Sequence, residues 1–183
     1  MRKALLVLAV FGIVYFVPVI EAQTQAPKLD PALQKLRVLV GHWTYKGEYK
    51  AGPLGPGGKI TGVYDCRPVL GGFFLEAEQT EKGVDGETHN IEIDAYDPVS
   101  KNFTSQGYQS DGSTWSGVIA VEGKTITWNG KWFIAGKPYP FKMDVTFASD
   151  SMNAVEKLKI STDGGKTWVP LLSSKWFKAA AKK

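Results

Sequence analysis

Leu39-Val40-Gly41-His42-Trp43-Thr44 decides the fold of this chain. Upstream of it, Asp30-Pro31 reads as a helix start, with Asp30 placed to cap the first turn and Pro31 at the first helical position. Leu33, Leu36, Leu39 and Val40 recur at helical spacing and Gly41 stops the run. A short helix over 31–40 with one apolar side is predicted. After Gly41 the pattern switches to alternation with a period of two and stays there to the end. Trp43 is the first large apolar residue of that alternation. A helix with one apolar side, followed by a long unbroken run of alternating strands, predicts a closed antiparallel barrel with the helix capping one end.

About ten strands are predicted, near 42–50, 58–66, 70–80, 88–97, 102–110, 113–121, 124–134, 139–148, 152–161 and 167–177. Turn residues punctuate them: Gly52 to Gly58, Gly83 to Gly86, Asp97-Pro98, Asp111-Gly112, Glu122-Gly123, Gly136 to Pro138, Ala148 to Ser151 and Asp163 to Gly165. Connections this short join consecutive strands as hairpins, hence an up-and-down meander. No second helix of any length appears, which excludes an α/β sheet. The fold class is therefore all-β.

The alternation assigns faces. Trp43, Tyr45 and Tyr49 share the inward face of the first strand, and Ile60, Tyr64 and Cys66 that of the second. Phe73, Leu75 and Ala77 follow, then Ile91, Ile93 and Ala95, then Trp115, Ile119 and Val121. Ile126, Trp128 and Trp132, then Phe141, Met143 and Val145, then Leu158 and Ile160 complete the set. The opposite phase carries Lys46, Glu48, Glu92, Asp94, Lys142, Lys157 and Lys159 and is expected to be wet. Gly47, Gly62, Gly107, Gly117 and Gly130 interrupt the inward phase, which suits the sharp coiling of a closing barrel.

The first residues stand apart from this pattern. Arg2 and Lys3 precede an apolar run from Ala4 to Ile20, and Ala22 offers a cleavage point. Residues 1–22 read as a secretory signal peptide, with an uncleaved membrane anchor as the rival reading. Residues 23–30 form a flexible mature N-terminus, 31–178 a single barrel domain and 179–183 a basic tail. An exported, periplasmic or secreted protein is expected. The 183-residue chain has 22 Lys and Arg against 18 Asp and Glu, a net charge of +4. That mild excess, nearly all lysine, is no nucleic-acid signature. Cys66 is the single cysteine, so no internal disulfide forms and the fold rests on packing.

Several stretches together resemble one family: Leu39 to Thr44, Gly55-Pro-Gly-Gly-Lys-Ile-Thr-Gly62, Val69-Leu-Gly-Gly-Phe-Phe-Leu75, Ala95-Tyr-Asp-Pro98 and Ser161-Thr-Asp-Gly-Gly-Lys-Thr-Trp168. In order and spacing they are similar to the bacterial domain of unknown function 1579 family, over about residues 33 to 178. The resemblance implies an exported calycin-like (lipocalin-like) barrel and carries no established activity, so it transfers no catalytic residue. The wider calycin group, similar at Gly41-x-Trp43, places that Trp at the closed barrel end under a basic residue from the last strand. Lys175 and Lys178 are the candidates here.

No catalytic set is evident. Ser161-x-Asp163-x-Gly165-x-x-Trp168 matches an Asp-box, which as a single copy is a hairpin device, with Asp163 capping backbone N–H groups and Trp168 packed beneath. Gly52 to Lys59 is no phosphate loop, since Pro53 and Pro56 remove N–H donors. His42 and His89 are the only histidines, so no metal site is expected. Haem would need Met143, Met152 or a Tyr as ligand, and no cofactor is expected. Glu76 with Glu78, and Glu92 with Asp94, fall on the outer phase as solvated pairs. Glu156 is the anomaly: it sits on the inward phase, where a lone carboxylate is costly without a partner.

Three function classes remain. The first is a non-catalytic barrel holding a small apolar or amphipathic molecule among Tyr45, Tyr49, Tyr64, Trp115, Trp128, Trp132 and Met143, with Glu156 as polar anchor. The second is a lipid-modifying isomerase or hydrolase using Glu156 with a tyrosine as proton partner. The third is a barrel packed solid that acts through its outer surface. The space around Trp128 and Trp132 separates the first two from the third.

Overall fold

The computed structural model describes residues 28–179. The signal-peptide reading of 1–22, most of the 23–30 segment and the lysines of the tail lie outside the described residues. A ³₁₀ helix, Pro31–Leu39, comes first, followed by ten strands: β1 (Gly41–Tyr49), β2 (Gly58–Val69), β3 (Phe74–Gly83), β4 (Gly86–Asp97), β5 (Asn102–Gln109), β6 (Thr114–Glu122), β7 (Thr125–Ile134), β8 (Lys137–Phe147), β9 (Asn153–Ile160) and β10 (Val169–Lys178). Each strand pairs antiparallel with its neighbours in sequence, and β1 also pairs with β10. The sheet closes on itself as an up-and-down barrel with no free edge.

The capping helix forms where it is predicted. It is ³₁₀ and ends at Leu39. Its buried residues are Leu33, Leu36 and Leu39. A spacing of three stacks them on one line in a helix with three residues per turn, whereas an α-helix would skew them apart. Asp30 caps it as expected, accepting from the Ala32 N–H at 2.8 Å. Two strand bounds differ. β2 continues to Val69, and Leu70–Gly72 forms a short ³₁₀ turn before β3 starts at Phe74.

This helix lies under the end of the barrel where β1 begins. Trp43 is fully buried there, and its indole N–H donates to the Leu39 carbonyl at 2.8 Å. Its ring packs edge-on against Phe147 and Trp176, at 5.8 and 6.2 Å between centres. The inward row of β10 is Leu172, Ser174, Trp176 and then Lys178. Lys178 pairs directly with Trp43 across the β1–β10 seam and sets its ammonium 4.9 Å from the ring centre. Lys178, not Lys175, is the basic residue over the tryptophan. Lys175 is exposed on the outer face, one residue out of phase with Trp176.

β4 is the largest departure from the expected pattern. Glu92 and Asp94 are buried, at 8% and 2% exposure, while Ile91 is 50% exposed. The β3–β4 hairpin dictates this. Gly83 pairs with Gly86 around a two-residue turn, so Gln79 faces Asn90, Ala77 faces Glu92 and Leu75 faces Asp94. Residues directly opposite in an antiparallel ladder share a face. With Leu75 and Ala77 in the core, the two carboxylates must follow them inward. By contrast Glu76 and Glu78 do point outward, where Arg67 spans both.

Candidate functional site

Above the plugged end, the barrel encloses a cavity of about 100 Å³. Trp115, Trp128, Trp132 and Met143 line it from β6, β7 and β8. Tyr49, Tyr64, Glu156 and Trp176 line it from β1, β2, β9 and β10. Tyr45, also expected in the lumen, is set into the wall instead. Its ring stacks on Trp176 at 5.3 Å, and its hydroxyl donates to Glu81 at 3.1 Å. A wider space of about 290 Å³ lies toward the opposite end of the barrel, bordered by the 50–58 loop, Val84, Ile134 and Leu171. Tyr49, Glu81, Gln109 and Trp132 border both spaces, so the chamber leads into a mouth.

Glycines shape this interior. A Cβ on Gly107 would run into the Trp115 ring, which lies flat across that glycine from the next strand. A Cβ on Gly62 would collide with the Tyr45 ring in the same way. Gly117 and Gly130 face one another on β6 and β7, and a Cβ on either would meet the other strand's backbone. At the mouth, the Trp132 indole donates to Ser113 Oγ at 3.2 Å, and Ser113 donates on to Gln109 at 2.5 Å.

Glu156 is buried and partnered. Its Oε2 accepts from Ser174 Oγ at 2.5 Å and from Trp176 Nε1 at 3.0 Å. Burial pushes its carboxyl pKa up, and these two donors offset part of the rise. Glu81 is also shifted up, first by burial, with the negative charge of Glu156 adding to it. Glu92 is driven well above the usual carboxyl range by burial and by Asp94 beside it. Burial likewise raises Asp94, to about 6. Tyr64 and Cys66, which face this pair from β2, stay neutral: burial raises both, the thiol to about 12. Cys66 is thus a buried, inert hydrophobe, as its phase implied.

Sequence reasoning missed Gln79, Glu81, Asn90, Glu92 and Gln109 as lining residues. Counting through the Gly83–Gly86 turn from Ala77 would have found Asn90 and Glu92. The chamber therefore has an aromatic side and a polar, acidic side. No lysine or arginine lines it among the described residues.

Away from the chamber, Asp163 behaves as the hairpin device expected. It accepts from Lys166 N, Thr167 N, Thr167 Oγ1 and Ser161 Oγ, which hold its carboxyl well below the usual range. Trp168 does not pack beneath the turn; it is 43% exposed, because β10 begins only at Val169. His42 and His89 are exposed on the outer surface, His42 against Asp65 at 2.6 Å. Among the described residues no three His, Cys, Asp or Glu are arranged to hold a metal ion. Nor, among them, is any helix long and apolar enough to cross a membrane.

The barrel is similar to solved structures. The crystal structure of Rv2717c from M. tuberculosis matches with a TM-score of 0.60 at 17% identity, covering 84% of this chain and 100% of that one. The S-type phycobiliprotein lyase CPES from Guillardia theta matches with a TM-score of 0.52 at 12% identity, covering 82% and 94%. At these identities the likeness is one of fold. No curated protein sequence matches this chain. The model of a family described as protein of unknown function (DUF1579) matches residues 30–175, and with its motifs at both ends of a closed ten-stranded barrel the chain belongs to that family.

Proposed function

We propose that this protein is a non-catalytic binding barrel for a small amphipathic molecule. The observation that carries this reading is the chamber: an aromatic-walled cavity inside a closed barrel, plugged at one end and leading to a mouth at the other. A barrel acting only through its surface has no use for such a space, and close packing would fill it. The aromatic lining supplies apolar contact. A ligand burying about 300 Å² of apolar surface gains about 7–8 kcal/mol. Lost translational and rotational freedom takes back about 4 kcal/mol or more. Apolar contact alone is then weak, so useful affinity needs a polar group on the ligand that meets the acidic side of the chamber.

The test uses tryptophan emission. Four of the six tryptophans, Trp115, Trp128, Trp132 and Trp176, line the chamber. Titration with the neutral probe N-phenyl-1-naphthylamine should quench that emission and raise the probe's own. It should also raise the thermal midpoint, as any ligand selective for the folded state does. If neither this probe nor an amphipathic amine or alcohol moves emission or midpoint, the proposal fails.

The same proposal places the protein outside the cytoplasm. Arg2-Lys3, the apolar run to Ile20 and the small Ala22 support export with cleavage before Gln23. N-terminal sequencing of the mature protein should start at Gln23. Recovery of the chain with its original N-terminus overturns this part.

A further inference from the structure

The acidic side of the chamber is more specific than a general polarity. Asn90 Oδ1, Glu92 Oε1, Asp94 Oδ1 and Ser105 Oγ are all buried without a hydrogen-bond partner, as is Trp128 Nε1. Four of these five atoms sit on two paired strands. Asp94 faces Ser105 across the β4–β5 ladder, and Glu92 and Asn90 follow at successive inward positions toward the mouth. Buried polar atoms are nearly always satisfied, and leaving one unmet is costly. Four gathered on one wall, with the Trp128 indole reaching toward Glu92 and Asp94 from β7, mark a place where a partner belongs.

The chemistry of the wall defines that partner. Asn90, Glu92 and Asp94 offer acceptors. The Trp128 indole and the Ser105 hydroxyl are placed to favour the ionised form of Glu92. Glu81 and Glu156 add negative charge from the same chamber, and no basic residue lines it among the described residues. A metal ion is the poorer fit, since among the described residues no third metal-ligating residue is arranged with the pair. An ammonium group supplies several donors from one small centre, and the faces of Trp115 and Trp128 suit a cation as well. Glu156 is not the seat, because its Oε2 already accepts from Ser174 and Trp176.

We propose, resting on the binding reading above, that the Asn90–Glu92–Asp94–Ser105–Trp128 wall seats the protonated amine of an alkyl- or arylalkylamine whose apolar body extends toward the mouth. Glu92 borders the chamber directly; Asp94 lies beyond it toward the plugged end. The head therefore sits deep and the tail follows the line of Trp132 and Tyr49 outward. Burial and the closeness of the two carboxyls favour keeping a proton on the pair, with the neutral Tyr64 and Cys66 facing it from β2. A bound ammonium replaces that proton, which leaves to solvent.

Calorimetric titration of the protein with 4-phenylbutylamine and with its neutral isostere 4-phenylbutanol, at pH 7.5 and low salt, tests this. The amine should bind at least tenfold more tightly. Repeating the titrations in buffers of different ionisation enthalpy should show about one proton released with the amine and none with the alcohol. The double variant Glu92→Gln, Asp94→Asn should keep alcohol binding and bring the two affinities together, whereas Glu76→Gln, on the outer face, should keep the ratio. Equal affinities in the unaltered protein, or binding of the amine without proton release, overturn the seat while leaving the binding barrel standing. Binding of neither compound overturns both. The proton count needs no variant, so a failure of the double variant to fold would not shelter the proposal.

Discussion

Lys178 Nζ stands 4.9 Å from the centre of the Trp43 ring and donates to the Val38 carbonyl at 3.1 Å. One side chain thus ties the last strand to the first tryptophan and to the end of the plug. The backbone repeats the tie: Ala179 N–H donates to the His42 carbonyl at 2.8 Å. Barrel closure and end closure are the same structural event.

Trp43→Ala should therefore be costly. The ring is fully buried, packs on Phe147 and Trp176, and its indole holds the Leu39 carbonyl. A loss of about 3–5 kcal/mol is expected in denaturant titration, the range for truncating a buried aromatic. A loss under about 1 kcal/mol would show that the plugged end contributes little to folding.

Lys178 and Lys175 should separate cleanly. Lys178→Met loses the contact with the ring and leaves the Val38 carbonyl without that donor, at a cost of about 1–2 kcal/mol. Lys175→Met alters only an exposed outer position and should stay within about 0.5 kcal/mol. Equal effects in thermal melts would contradict the roles given to the two lysines.

The choice between these lysines was open to the sequence. Trp176 is inward, so a period of two selects Lys178 and rejects Lys175; the register adds that Lys178 faces Trp43. The barrel, its meander and its plug were legible because alternation and turn residues agree along the chain. β4 was misread because hydrophobicity was allowed to set its phase: Ile91 and Ile93 are apolar, so they were turned inward. The two-residue turn after Gly83 is the stronger constraint, since register couples every residue of β4 to β3. Much of the chamber's aromatic lining was legible, but the open space inside it was not. Alternation tells which way a side chain points, not whether the space it points into is filled.

Gly107 tests the shape of the chamber wall. Its missing Cβ is the space across which the Trp115 ring lies. Gly107→Ala should push that ring into the cavity and cost about 1–3 kcal/mol, as overpacking does. The displaced indole should change both the emission maximum and probe binding. An alanine variant with unaltered emission and stability would mean that the ring adjusts freely.

The buried Asp94 should give the protein an unusual pH response. Burial raises its pKa from an ordinary 3.8 to about 6. Below pH 3.8 the carboxyl is protonated in both the folded and unfolded chain and has no effect on stability. Between that value and about 6 the unfolded chain releases the proton while the folded chain keeps it, so stability falls as pH rises. Above about 6 both states are ionised and the penalty stays constant, at up to about 3 kcal/mol for a shift of this size. Glu92, raised by burial and by Asp94, carries a penalty of the same sign to higher pH. Asp163, Asp97 and Glu87 are shifted the other way, and their contribution is lost only as pH falls below the ordinary carboxyl range. Asp94→Asn should therefore match the parent near pH 4, gain on it steadily up to about pH 6, and gain further beyond, because Glu92 without Asp94 beside it ionises more readily in the folded chain. Thermal melts of both proteins across this range measure the difference directly. A difference that does not change with pH would mean that the Asp94 carboxyl reaches water, and the inward register of β4 would lose its main energetic consequence.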